Sequence, residues 1–254
     1  MSTGPGATNI LTGIATAQAD SSPMVAVTGQ VPVAMIGKDA FQESDIIGMA
    51  NPVVKYAFQP RTPGEVPEMV KKGFYIAETG RPGPVLIDVP KDVQQNESPM
   101  DFPEEFKIQG YHPWYDPDMV ACEKAIEMLL NSEKPIILAG GGTIISSAFA
   151  ELQSIAETLM IPVVTTFKGK GAFPENHPLS LGPIGMHGHA EANKMMAEAD
   201  CVLAIGTRFS DRSVGTFEAF EKRFTWMLIL LKLVKTKLLV WQLLVMFVLH
   251  LELW

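Results

Sequence analysis

Five short apolar runs, each closed by a glycine, a proline or a small polar residue, constrain this chain most. They are Met24-Val25-Ala26-Val27-Thr28-Gly29, Val85-Leu86-Ile87-Asp88-Val89-Pro90, Pro135-Ile136-Ile137-Leu138-Ala139, 162–167 and Cys201-Val202-Leu203-Ala204-Ile205-Gly206. Near-continuous apolar runs of this length suit strands covered on both faces, which is how parallel sheets are built. Amphipathic stretches lie between them. Residues 62–65 read as a cap and first turn with Pro63 near the start, and an i, i+3/i+4 apolar face follows through Val66, Met69, Val70, Phe74 and Ile76. Residues 119–130, 146–160 and 189–199 read as further helices, the stretch up to Ala19 as another, and 53–58 as a further strand. Alternation of strand and helix predicts an α/β fold with doubly wound, right-handed parallel sheets.

Residues 91–118 are polar and proline-rich without a sustained period, as expected of a linker between two α/β domains. A net charge of −8 leaves no basic surplus for phosphates, so a nucleic-acid partner is not expected. Cys122 and Cys201 are far apart, sit beside apolar residues and are expected to be core hydrophobes in a reducing cytoplasm. The N-terminus has no basic region followed by an apolar one, so it does not read as a signal peptide.

The second-domain strand ends, Gly140-Gly141-Gly142-Thr143, Thr165-Thr166-Phe167-Lys168-Gly169 and Gly206-Thr207-Arg208, should share one rim of a parallel sheet. Nucleotide-type ligands bind at such rims, where glycines let backbone approach a diphosphate. Arg208 and Arg212 would add positive charge, and Asp211 is available for a ribose or for pairing. The alternative is that the glycines serve only tight turns that let helices pack. His187 and His189, on a glycine-rich loop without a third histidine or a nearby cysteine, make a poor zinc site, so no metal ligands are assigned. In the first domain, Phe41 and Gln42 follow a strand end and suit either a pocket mouth or a buried aromatic beside a solvated amide. Glu43 and Asp45 read as a solvated pair rather than as catalytic carboxylates.

Taken in order, several stretches resemble the large catalytic subunit of acetolactate synthase, also called acetohydroxyacid synthase. They are Thr3-Gly4-Pro5-Gly6-Ala7-Thr8-Asn9, Thr28-Gly29-Gln30-Val31-Pro32, Ile36-Gly37-Lys38-Asp39-Ala40-Phe41-Gln42-Glu43, the run from Thr79-Gly80-Arg81-Pro82-Gly83-Pro84 to Gln94, Gly185-Met186-His187-Gly188, and Gly206-Thr207-Arg208-Phe209-Ser210-Asp211-Arg212. The resemblance covers residues 1–224. It implies a partial pyrimidine-binding domain for thiamine diphosphate over residues 1–95, a linker over 96–118, and a Rossmann-like central FAD-binding domain over 119–224.

The implied reaction condenses two 2-keto acids with loss of CO₂, in branched-chain amino acid biosynthesis. Thiamine diphosphate is the electron sink, and FAD is bound without net redox chemistry. By match, Gly140, Gly141, Gly142, Thr166, Phe167, Lys168, Met186, His187, Gly206, Thr207, Arg208, Asp211 and Arg212 would line the FAD site. Phe41 and Gln42 would face the active-site pocket, with Lys55 close by. The family's activating glutamate is expected upstream of the Gly4-Pro5-Gly6 loop and its Mg²⁺ site beyond the central domain, so the isolated chain is expected to be inactive. The implied partners are 2-keto acid substrates, a second copy in a homodimer and a regulatory small subunit, with no membrane. Other thiamine carboligases or decarboxylases, such as glyoxylate carboligase and oxalyl-CoA decarboxylase, and a non-catalytic FAD-binding fragment are the alternatives.

Residues 225–254 depart from everything before them. They contain no Gly, Pro, Ala, Asp, Asn or Ser, and they hold three of the four tryptophans. Re-reading each codon from its third base restores the strand the family expects. Trp226-Met227 then encodes aspartate, Leu231-Lys232 can encode glutamate and Lys235-Thr236 can encode asparagine. The expectation is a reading-frame shift. The alternative, a membrane anchor, is interrupted by Lys232, Lys235, Lys237 and Gln242.

Overall fold

A computed structural model describes residues 4–99, 101–113, 119–208, 227–230 and 244–247. The chain divides into two compact units, residues 1–113 and 114–254.

In the first unit, α1 (Pro5–Thr8) and α2 (Leu11–Asp20) precede β1 (Met24–Gln30), α3 (Ile46–Ala50), β2 (Tyr56–Phe58), α4 (Val66–Glu78), β3 (Pro84–Pro90) and α5 (Lys91–Gln95). The strand expected over 53–58 is shorter than that: residues 51–53 form a 3-10 turn, because Pro52 cannot donate to a ladder. The sheet is parallel throughout, with β3 between β1 and β2. All seven residues of β3 are buried, as its apolar run requires. The two-residue period sends Leu86 toward a cluster with Ala7, Ile14, Ile46 and Ala50. Val85, Ile87 and Val89 face the other way, into two clusters that draw on α4 and α5.

Residues expected to be linker pack back on this unit. Two lysines hold 101–113 against α4, each pairing backbone carbonyls with an aromatic ring. Lys71 donates to the carbonyls of Pro103 and Glu104 and lies over the Phe106 ring. Lys55 donates to the carbonyls of Ile76 and Thr79, and to the Tyr111 hydroxyl at 3.2 Å. The break between the units therefore falls at residues 113–114, near the end of the expected linker.

The second unit runs through α6 (Met119–Leu130), β4 (Pro135–Ala139), α7 (Gly141–Ile145), α8 (Phe149–Leu159), β5 (Val163–Thr165), β6 (Ser180–Pro183), α9 (Ala190–Glu198), β7 (Cys201–Ile205), β8 (Met227–Leu230) and β9 (Leu244–Phe247). The stretch expected as a glycine turn and one helix is two helices. Ser147 adopts a left-handed conformation between them, which a continuous helix does not allow. Strand β6 has no clear sequence signal, because Leu181-Gly182-Pro183 carries two residues that weaken strand propensity.

Sheet order is β6-β5-β4-β7-β8-β9, parallel except for the last pair. Alternate residues face opposite layers. Ile137, Ala139, Leu203 and Ile205 join residues of α6 and α8, while Ile136, Leu138, Val202 and Ala204 join Ala192 and Met196 of α9. This is the doubly wound arrangement expected from the sequence. Cys122 and Cys201 are both buried in the first of these layers, and burial with Asp200 nearby raises the Cys201 thiol to about 11. Of residues 225–254, only the backbone of β8 and β9 is described.

Candidate functional site

The strand order turns back between β4 and β7, and open α/β sheets bind ligands beyond the carboxyl ends at such a point. Four strand ends supply this rim with the expected residues: Gly140–Gly142 after β4, Thr166–Lys168 after β5, Met186 and His187 after β6, and Gly206–Arg208 after β7. Asp211 and Arg212 lie outside the described residues.

The glycines here are required by chain packing. Gly140 N–H donates to the Ile205 carbonyl at 2.7 Å, and Gly142 N–H to the Gly206 carbonyl at 2.8 Å. A Cβ on Gly142 would come within 2.6 Å of the Gly206 Cα, and one on Gly206 within 2.6 Å of the Thr143 nitrogen. Gly206 also has φ +61°, so two independent reasons exclude a side chain there. Thr143 and Thr207 are buried beneath this junction, and Thr166 accepts from the Gly169 N–H at 3.1 Å to fix the turn after β5. The tight-turn reading of these glycines therefore accounts for them by itself.

What the rim offers a ligand is its exposed side chains. Phe167 is 83% exposed and Met186 is 81% exposed, with Lys168, His187 and Arg208 also at the surface. Phe167 and Met186 are the most exposed large apolar side chains of this rim. His187 and His189 do not act together. The His189 ring packs over Gly182 with Nδ1 3.2 Å from the Leu181 carbonyl, whereas His187 points outward. The start of this loop is held by a reciprocal pair between Asn193 and Gly185, at 2.9 and 3.1 Å. Among the described residues no three-residue cluster suits a metal ion.

In the first unit, Phe41 and Gln42 sit on the long loop after β1. Phe41 is 90% exposed, and Gln42 has φ +61°. Gly4, also left-handed, lies directly against the Gln42 backbone, so the Gly4-Pro5-Gly6 loop and the Phe41-Gln42 turn meet. Glu43 shapes this turn by accepting from the Gly37 and Ala40 N–H groups, which hold its carboxyl below the ordinary value. Asp45 caps α3 by accepting from Gly48 N–H at 2.8 Å. The two carboxylates thus have separate backbone partners and do not form a pair.

Lys55 does not join Phe41 and Gln42. Its backbone N–H pairs with the Pro84 carbonyl at the amino end of the sheet, whereas the Phe41 loop leaves the carboxyl end of β1. Its ammonium caps the last carbonyls of α4, and partial burial lowers its pKa to about 8. Sequence reading also missed Asp88. Its carboxylate is fully buried and accepts from Thr28 Oγ1 at 2.7 Å and from the Gln30 and Gln59 amides at 3.0 Å each. The signal was an acidic residue inside an otherwise apolar strand, which only internal donors can satisfy.

The N-terminal TPP binding domain of thiamine pyrophosphate enzymes matches residues 1–49, and their central domain matches residues 122–231. A probable acetolactate synthase large subunit of Methanocaldococcus jannaschii is 52% identical over 220 residues, covering 85% of this chain and 37% of that protein. The acetolactate synthase large subunit of Cyanidium caldarium is 49% identical, over 85% of this chain and 38% of its own length. That of Haemophilus influenzae is 44% identical, over 87% and 39%. The chain spans well under half the length of these curated relatives.

Proposed function

This chain belongs to the thiamine pyrophosphate enzymes as a homologue of acetolactate synthase large subunits, and on that premise we propose that it is a portion of such a catalytic subunit. The activity would be the condensation of pyruvate with a second 2-keto acid, with loss of CO₂. The observation that carries this reading is identity of 44–52% to large subunits across both matched domains.

The first unit fits thiamine diphosphate through the meeting of the Gly4-Pro5-Gly6 loop and the Phe41-Gln42 turn. There an exposed ring and an exposed amide stand side by side at the carboxyl end of a parallel sheet. When bound, thiamine diphosphate supplies the electron sink for decarboxylation. Phe41 would cover one side of the reacting centre and limit its access to water, and the Gln42 amide would orient a polar group of the keto acid. Lys55 would keep its helix-capping position and take no part in proton transfer. The activating carboxylate, the diphosphate anchor and the Mg²⁺ ligands would come from parts of the subunit other than the residues assigned here.

FAD fits the rim of the second unit by donor chemistry. Phe167 and Met186 offer apolar surface to a flat ring, and Lys168 and Arg208 offer positive charge to a diphosphate. The flavin would be held without redox change. Residues 225–254 would be the family's strand read one base out of frame. The match covers 85% of this chain, and the central-domain match ends at residue 231, within the first residues of this stretch. The name "large subunit" of the relatives suggests a smaller regulatory partner for the complete protein.

Grafting residues 1–224 in place of the corresponding part of the Methanocaldococcus subunit tests the reading. The chimera should form acetolactate from pyruvate, and turnover of glyoxylate alone would favour a different carboligase. Flavin fluorescence should be quenched when the purified chain is titrated with FAD, and Arg208→Ala should weaken that binding about tenfold, the loss of one charge-assisted contact. Resequencing the gene decides the tail, since an intact frame without a single-base discrepancy removes the frameshift.

A further inference from the structure

Residues 31–44 leave the sheet after β1 and return to it before α3, carrying Phe41 and Gln42 at the far end. One side chain holds both feet of this excursion. The Gln30 amide oxygen accepts from the Val31 N–H at 2.9 Å, where the loop departs. The same amide's nitrogen donates to the Ser44 carbonyl at 2.8 Å, where it returns. An amide can do this in only one orientation, and rotating it by 180° would face donor to donor and acceptor to acceptor.

Asp88 selects that orientation. Its Oδ2 accepts from the second Gln30 N–H at 3.0 Å and from Gln59 at 3.0 Å, and its Oδ1 accepts from Thr28 at 2.7 Å. Strand register explains why these groups meet. Thr28 stands opposite Asp88 and Gln30 opposite Pro90, and the two-residue period puts them on the face of Ala26 and Leu86, at its carboxyl end. Asp88 is fully buried and Gln30 nearly so, hence neither can exchange its partners for water.

We propose that Asp88 and Gln30 are positioning residues: Asp88 locks the Gln30 amide, and Gln30 closes the loop that presents Phe41 and Gln42 to the reaction. The assignment rests on the reading of Phe41 and Gln42 given above, but the loop closure itself is independent of it. Asp92 and Glu43 brace the same loop further out, through the Val33, Gly37 and Ala40 N–H groups. They leave its two feet to Gln30.

Limited trypsin digestion of the full chain reads the loop directly, because Lys38 is the one basic residue within 31–44 and is exposed. Cleavage after the exposed Lys170, in the second unit, serves as the internal control. Asp88→Asn and Gln30→Met should each speed cleavage after Lys38 about tenfold relative to Lys170, as loss of two or three buried hydrogen bonds predicts. A reversed pair, Gln30→Glu with Asp88→Asn, separates loop closure from general stability. The introduced asparagine amide can donate to the introduced carboxylate and restore the bond between the strands. That carboxylate has no proton to donate to the Ser44 carbonyl. The double variant should therefore regain most of its urea midpoint while cleavage after Lys38 stays fast. Unchanged Lys38 cleavage in Gln30→Met, or loop protection that returns with stability in the double variant, would overturn the proposal. Because the readout is proteolysis, inactivity of the chimera described above would count against the role of Phe41 and Gln42 and leave loop closure standing.

Discussion

A methyl group on Gly142 would lie 2.6 Å from the Gly206 Cα, whereas one on Gly13, within α2, would meet no atom within 4 Å. The same substitution should therefore have opposite effects at the two positions. Gly142→Ala should lower stability by about 1–3 kcal/mol through overpacking. Gly13→Ala should raise it by about 0.5–1 kcal/mol by restricting the unfolded chain. Urea midpoints measure both. Lys55 gives a pH-dependent outcome. Partial burial lowers its folded pKa from 10.5 to about 8, so between those values the folded chain holds fewer protons on this residue than the unfolded chain. Stability then rises with pH across that window, and the contribution is lost as pH falls toward 8. Solvent screening of a half-exposed ammonium limits the change to about 1 kcal/mol. The gain from pH 7 to pH 10.5 should be smaller by that amount in Lys55→Met, as measured by denaturation at both pH values.

The segment 101–113 shows how a polar, aperiodic stretch becomes part of a folded unit. Its attachment comes from two lysines and from aromatic contacts of Tyr75 with Phe106 and Tyr111 at 5.4 and 6.1 Å. Tyr111→Phe keeps the ring and removes the hydroxyl that meets Thr79 Oγ1 at 2.8 Å and its carbonyl at 2.9 Å. That change should cost about 1–2 kcal/mol locally. Amide exchange should accelerate over 101–113 and stay unchanged in β3. Nothing in the composition of this segment announced it, because attachment depends on lysines that lie 32 to 56 positions away. Helices and strands were more legible. Their apolar periods reflect burial against a neighbouring layer: 119–130 and 135–139 have the expected bounds, and the run 201–206 forms a strand that ends one residue earlier.

Across the whole molecule, parallel strands bring Gly140–Gly142, Thr166–Lys168, Met186, His187 and Gly206–Arg208 to one edge of the second sheet, while Asp211 and Arg212 of the expected set lie outside the described residues. Among the described residues no helix is long and apolar enough to cross a membrane. The 30 residues after Phe224 remain compositionally foreign to the rest of the chain, and so rich an apolar stretch favours self-association. Replacing them with the shifted-frame sequence should reduce light scattering at equal concentration and raise the thermal midpoint. No change in either would argue that the tail is native to this chain.

Family kinship, the α/β class and the gathering of strand ends were decided by sequence alone. They depend on local periodicity and on motifs whose residues are adjacent in the chain. Tertiary structure alone decided what the glycines, Lys55 and Asp88 are for. Gly142 is a glycine because Gly206 lies against it, Lys55 caps a helix 21 positions away, and Asp88 is satisfied by donors 58 and 60 positions before it and 29 before it. Such roles arise only when backbone and buried polar groups, distant in sequence, must exclude water together and satisfy one another.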